Sequence, residues 1–121
     1  MINILETFST AKYFFENGFY QHAKNKFVEI LKERPFDIDS IYALSICFYK
    51  LKEYTNAIKM FDIFLYMKKD PEVLLYKAES LFSINEPSKA IFVLEEAKKY
   101  ADESFLNNKI SILINQNRQK I

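Results

Sequence analysis

The chain has 121 residues, half of them hydrophobic and 17% aromatic, with one glycine, three prolines and a net charge of +1. Such a length suits a single domain with a real core, and the scarcity of glycine and proline beside so many apolar residues favours packed helices over loops or disorder. The near-zero charge excludes a broad field for nucleic acid or anionic membrane, and the lone Cys47 excludes an internal disulfide framework and fits a reducing compartment.

In chain order, the first helix is predicted from about Asn3 to Glu16, stopping at Asn17-Gly18, where glycine can take a positive φ. Its partner runs from Tyr20 to Glu33 and is ended by Pro35, which disfavours helix at Arg34. Asp37 or Asp39 can cap the third helix, which reaches about Leu51, and a fourth follows from Tyr54 to Met67. Asp70-Pro71-Glu72 opens the fifth, with a capping side chain, proline at the first helical position and an acid at the positive end. That helix ends near Ser83; Asn85-Glu86-Pro87 begins the sixth, which runs to about Tyr100. Asp102 or Ser104 caps a seventh helix to about Arg118, with Phe105, Leu106, Ile110, Leu113 and Ile114 on an apolar face and Asn107, Asn108, Asn115, Gln116 and Asn117 on a polar one. No linker interrupts, so residues 1–121 are expected to form one domain. Glu6 and Lys12 break the N-terminal apolar run, so no signal peptide is expected, and no apolar run is long enough to span a bilayer. A cytoplasmic location follows as the expectation.

A period organises these helices. Ala23 to Ala57 is 34 residues and Ala57 to Ala90 is 33, the range that marks a repeat array. Three small pairs, Ala11/Ala23, Ser45/Ala57 and Ala78/Ala90, fall twelve residues apart, where two antiparallel helices can approach closely. Large residues one turn further on (Phe14, Phe27, Ile30, Phe48, Phe61, Phe64, Leu81 and Leu94) fill the space where helices splay. A single pair could not bury its stripe alone, but stacked pairs can.

This pattern resembles the tetratricopeptide repeat. Ala11, Tyr20, Ala23, Phe27 and Pro35 match in the first copy, Leu44, Tyr54, Ala57 and Phe61 in the second, and Ala78, Ala90 and Ala97 in the third. Ser45 replaces the usual Gly or Ala, Pro87 replaces a Tyr, and the family's Trp is absent. The resemblance implies an all-α fold of three tandem helix pairs, at about residues 4–37, 38–70 and 71–101, plus a C-terminal capping helix at about 103–118. It also implies a right-handed α-solenoid whose first helices line a concave side.

Chemistry is hard to find. The one histidine, His22, has no second His, Ser or Cys at a spacing that completes a dyad and reads as a surface residue. Cys47, between Ile46 and Phe48, reads as a small core hydrophobe. Glu95 and Glu96 are adjacent on a helix and so point in different directions. No zinc cluster, calcium loop or phosphate cradle is present in the sequence, and no cofactor is expected. Lysines interleaved with acids argue against nucleic acid. An enzyme is not expected.

The repeat frame places Leu5, Phe8, Lys12 and Phe15 on the inner side of the first unit. It places Tyr42, Ala43, Ile46 and Tyr49 there in the second, and Leu75, Tyr76, Glu79 and Phe82 in the third. Such an apolar surface is expected to bind a protein or peptide, unless part of it completes the core or meets a second copy of the chain. Family members that hold chaperone C-terminal carboxylates use a clamp of Lys, Asn and Arg. This chain has Phe8, Lys12, Ala43, Glu72 and Tyr76 at those places, so the clamp is absent. More narrowly, Tyr42 to Ile58 and Lys77 to Ala97 are similar to the small type III secretion chaperones that hold translocators. Those carry a Leu-x-x-Cys, here Leu44 to Cys47, an Ala-Glu pair, here Ala78-Glu79, and a helix after three repeats. Their long N-terminal dimerisation helix is expected to be missing, as the first repeat begins almost at once. The resemblance implies a cytoplasmic chaperone holding a client segment in an apolar groove; the alternative is a structural adaptor in a larger assembly. Homodimer and hetero-complex both stay open.

Overall fold

A computed structural model describes residues 2–101 and 104–118. The described residues form seven helices and no strand: α1 Ile4–Glu16, α2 Tyr20–Glu33, α3 Ile38–Lys50, α4 Tyr54–Met67, α5 Pro71–Ser83, α6 Pro87–Tyr100 and α7 Ser104–Asn117. By its packing the chain divides into two compact units, Met1–Phe64 and Leu65–Ile121, with the division inside α4.

Start signals written in the sequence are used as side-chain caps. Asp37, rather than Asp39, caps α3: its carboxylate accepts from the Ser40 N–H at 3.0 Å and also from the Ser40 hydroxyl. Asp70 accepts from the N–H groups of Glu72 and Val73 at 2.8 and 3.2 Å, with Pro71 at the first helical position. Asn3 caps α1 instead of lying inside it, accepting from the Glu6 N–H at 3.1 Å. Ser104 is the first residue of α7, and Asp102 lies outside the described residues.

The turns within the three helix pairs share one construction. Gly18, Lys52 and Asn85 have φ of 78°, 62° and 63°, the left-handed region. Behind each, the next N–H reaches back five residues: Phe19 to the Phe14 carbonyl at 2.8 Å, Glu53 to Phe48 at 2.8 Å and Glu86 to Leu81 at 2.9 Å. The left-handed residues themselves donate to Phe15, Tyr49 and Phe82, completing a Schellman motif. Phe19, Glu53 and Glu86 then accept from Ala23, Ala57 and Ala90, the first bonds of the following helices. One residue therefore closes one helix and opens the next, which explains why α2 and α6 have no side-chain N-cap. Three of the six small residues sit one turn beyond these junctions, and all six are fully buried.

In the first unit, α2 packs on both α1 and α3, and Ala11, Ala23, Phe27, Ile30, Ala43, Leu44 and Cys47 form a buried cluster. Lys24 of α2 ties this packing to the α3–α4 turn. Its ammonium lies 2.8 Å from the Glu53 carboxylate and 5.5 Å from the centre of the Phe48 ring. In the second unit α6 packs on α5 and on α7. Leu74, Ala78, Leu94, Ala97 and Ile110 are buried there. Asn117, expected on the polar face of α7, is buried instead, its amide donating to the Leu113 carbonyl at 2.8 Å.

Buried polar groups are satisfied locally. Ser45 and Ser80 donate to the carbonyls four residues back, Ile41 at 2.7 Å and Tyr76 at 2.9 Å. A hydroxyl there keeps the side chain small without leaving a donor unmet.

Candidate functional site

The residues expected to bind a partner belong to α1, α3 and α5. In the first unit, Leu5 is 81% exposed, Phe8 and Phe15 are half-buried, and Lys12 is exposed beside Glu16 at 3.8 Å. Phe15 is anchored edge-on against Tyr20 and Phe27, at 5.8 and 6.2 Å between ring centres, so only part of the ring is available. Tyr42 and Tyr49 are half-buried and braced on α4, Tyr42 against Phe64 at 5.8 Å and Tyr49 against Tyr54 at 6.1 Å. In the second unit Tyr76, Glu79 and Phe82 are half-buried on α5.

Three expected members sit with the core instead: Ala43, Ile46 and Leu75 are 5–7% exposed. The reason for α3 is its position between α2 and α4, which buries every residue from Ser40 to Cys47 except Tyr42. Helical periodicity marks which residue leaves a stripe, but not how many neighbours close over the helix.

The bracing decides what these faces can do. Aromatic rings held by neighbouring rings lose little side-chain freedom when a partner covers them, so they suit binding. Among the described residues no group of His, Cys, Asp or Glu could hold a metal ion. His22 is exposed and lies against Phe14, 5.0 Å between ring centres. Glu95 and Glu96 do diverge, toward Arg118 at 3.0 Å and Lys69 at 3.9 Å respectively. Cys47 is fully buried, and burial pushes its thiol up to about 12, only partly opposed by the Lys24 charge. It is inert, as a core residue should be.

The described residues contain no helix long and apolar enough to cross a membrane. No family model matches the chain, and no curated protein matches it. Solved structures do. The Yersinia enterocolitica type III secretion chaperone SycD, in complex with a peptide of the translocator YopD, superimposes with a TM-score of 0.85 at 21% identity, over 95% of this chain and 92% of that one. The fold is that of a tetratricopeptide repeat protein. PcrH of Pseudomonas aeruginosa, in complex with the chaperone-binding region of PopD, gives 0.84 at 13% identity, over 95% and 90%. The TPR2B domain of yeast Sti1, in a complex with pHsp70, gives 0.78 at 19%, over 98% of both chains. At these identities the likeness is one of fold.

Sequence reasoning missed a second surface, a groove between α2, α3 and α4 of the first unit. Its signal was the breadth of the α2 stripe, where Val28 and Leu31 adjoin the core residues Phe27 and Ile30.

Proposed function

We propose that this protein is a non-enzymatic, cytoplasmic chaperone that holds an apolar segment of a client on the aromatic faces of α1, α3 and α5. The client in this reading is a protein of a type III secretion apparatus. One observation carries it: the fold of translocator chaperones crystallised with translocator segments, joined to partly exposed aromatic rings on the first helix of each pair, those of α1 and α3 braced by neighbouring rings. The logic is physical. An aggregation-prone segment gains apolar surface to cover it, while lysines and acids elsewhere keep the pair in solution.

Leu5, Phe8, Phe15, Tyr42, Tyr49, Tyr76 and Phe82 provide the contacts in this proposal. Lys12 and Glu79 are the charges that orient the segment.

The test is affinity capture from the source cell, identification of the retained protein, and titration of that protein against wild type and Tyr49→Ala. The variant is expected to lose about 1–3 kcal/mol of binding, the size of an aromatic anchor. Affinity should change little with salt, because apolar burial drives it. A client whose binding survives Tyr49→Ala and Phe82→Ala together, or collapses with added salt, overturns the reading.

A further inference from the structure

The groove missed by sequence reasoning has a volume of about 320 Å³. Val28 and Leu31 of α2, Ile41 of α3, and Met60 and Ile63 of α4 contribute its apolar lining, and Lys32 is its one charged residue. Pro35 also lines it, and the next residue, Phe36, is 81% exposed; Ile63 is 46% exposed. The apolar surface therefore extends beyond the groove onto its rim. It uses a different side of α3 from Tyr42 and Tyr49, and it does not depend on the client face proposed above.

Two features say what fits. The first is charge. Lys32 lies on the α2 wall, and Lys59 stands four residues before Ile63 on the α4 wall, one helical turn away. Both lysines are exposed and neither has an ion-pair partner among the described residues. The acid one turn from Lys32, Glu29, is paired with Lys26 at 3.7 Å, and Glu33 adjoins Lys32 and so faces another way. An apolar floor with Lys32 in its lining and Lys59 one turn from Ile63 complements an apolar stripe flanked by carboxylates. The second feature is backbone. All three walls are helices whose main-chain groups are bonded within themselves, so they offer no edge to an extended segment. A helix satisfies its own N–H and C=O groups and so can lay an apolar face here without help from the walls. From Val28 to Lys32 the groove follows α2 for about 6 Å, just over one helical turn, and Pro35 continues its lining beyond the helix end.

We propose that this groove docks an amphipathic helix of a protein partner, with apolar residues at i, i+4 and i+7 and acidic residues flanking that stripe. Lys32 and Lys59 select the acids, and Met60 and Ile63 receive the apolar side chains.

Two Ala-based helical peptides test this on the intact chain. One carries Leu at i, i+4 and i+7 flanked by Glu; its twin has Lys in place of every Glu. Fluorescence anisotropy should show the Glu peptide binding about tenfold more tightly, the sum of two attractions gained and two repulsions avoided. Ile63→Asp should abolish binding of both peptides. Lys32→Glu combined with Lys59→Glu should reverse the preference while the melting temperature holds, since both positions are exposed. Tyr49→Ala should leave peptide affinity unchanged. Absence of binding, equal binding of the two peptides, or a preference that survives the double charge reversal overturns the proposal. So does light scattering that finds a dimer which Ile63→Asp converts to monomer, because a second copy would then occupy the groove.

Discussion

Replacing Lys52 by Gly should stabilise this protein, although glycine is ordinarily the poorer choice near a helix. Lys52 sits at φ 62°, and a left-handed conformation costs a residue with a Cβ about 1–2 kcal/mol. Glycine avoids that cost but loses about 0.5–1 kcal/mol more on folding through its greater freedom in the unfolded chain. Lys52 is exposed and its ammonium has no ion-pair partner among the described residues, so nothing else is lost. The net gain is therefore about 0.5–1 kcal/mol, or about 2–5 °C in melting temperature for a chain of this size. Gly18→Ala is the mirror experiment. A Cβ built on Gly18 has the Tyr20 ring as its nearest neighbour at 4.0 Å, so no clash arises and only the backbone cost remains, about 0.5–1 kcal/mol of destabilisation. Asn85→Gly should fall near zero, because asparagine visits this region more readily. Urea unfolding of the three variants, read at constant m-value, checks all three signs. A Lys52→Gly protein less stable than wild type, beside a neutral Gly18→Ala, would show that left-handed closure is not what shapes these turns.

Core and client face should separate cleanly under mutation. Phe61→Ala, at a fully buried position, should cost about 3–5 kcal/mol through the cavity left behind, whereas half-buried Tyr49→Ala should cost much less; paired thermal melts decide. Ala57→Leu should overpack the fully buried small-residue position of α4 and lower stability by about 1–3 kcal/mol in the same assay. Lys24→Met should cost about 1–2 kcal/mol, because it leaves the part-buried Glu53 carboxylate without its cation; the double variant with Glu53→Gln should recover part of that loss. The thiol of Cys47 should resist alkylation until the chain unfolds. Its folded value lies above the ordinary 9.0, at about 12, so below pH 9 the thiol is neutral in both states and stability is unaffected. Between pH 9 and 12 the unfolded thiol ionises while the folded one keeps its proton, so this contribution to stability falls as pH rises; urea melts from pH 8 to 11 should show a steeper decline for wild type than for Cys47→Ala.

The locations of the helices were legible in the residues alone, because each boundary is a local event. Asp70-Pro71 and Asp37 cap wherever they stand, Pro35 stops α2 through its own ring, and Gly18 is suited to a left-handed turn. Small residues at a fixed period likewise marked the buried positions Ala11, Ala23, Ser45, Ala57, Ala78 and Ala90. Lys52 was not legible as a left-handed residue: lysine carries no such preference, and only its register with Gly18 and Asn85 assigns it the role. Nor was the Lys24–Glu53 pair, whose members are 29 residues apart and meet only when α2 packs against the α3–α4 turn.

For the candidate site the sequence supplied the helices and their aromatic residues, and tertiary packing decided which of those were left open. Periodicity assigned Ala43, Ile46 and Leu75 to the partner face on the same terms as Tyr42, Tyr49 and Tyr76. Exposure depends on how many neighbours surround a helix, and that is a property of the assembled fold. The groove beside Lys32 and Lys59 belongs to tertiary structure altogether, since three separate helices must converge before Val28, Ile41 and Met60 share a surface. Local backbone chemistry thus determined the elements from sequence; burial, ion pairs across long separations and concave surface arose only from their packing, because each needs atoms that are distant along the chain.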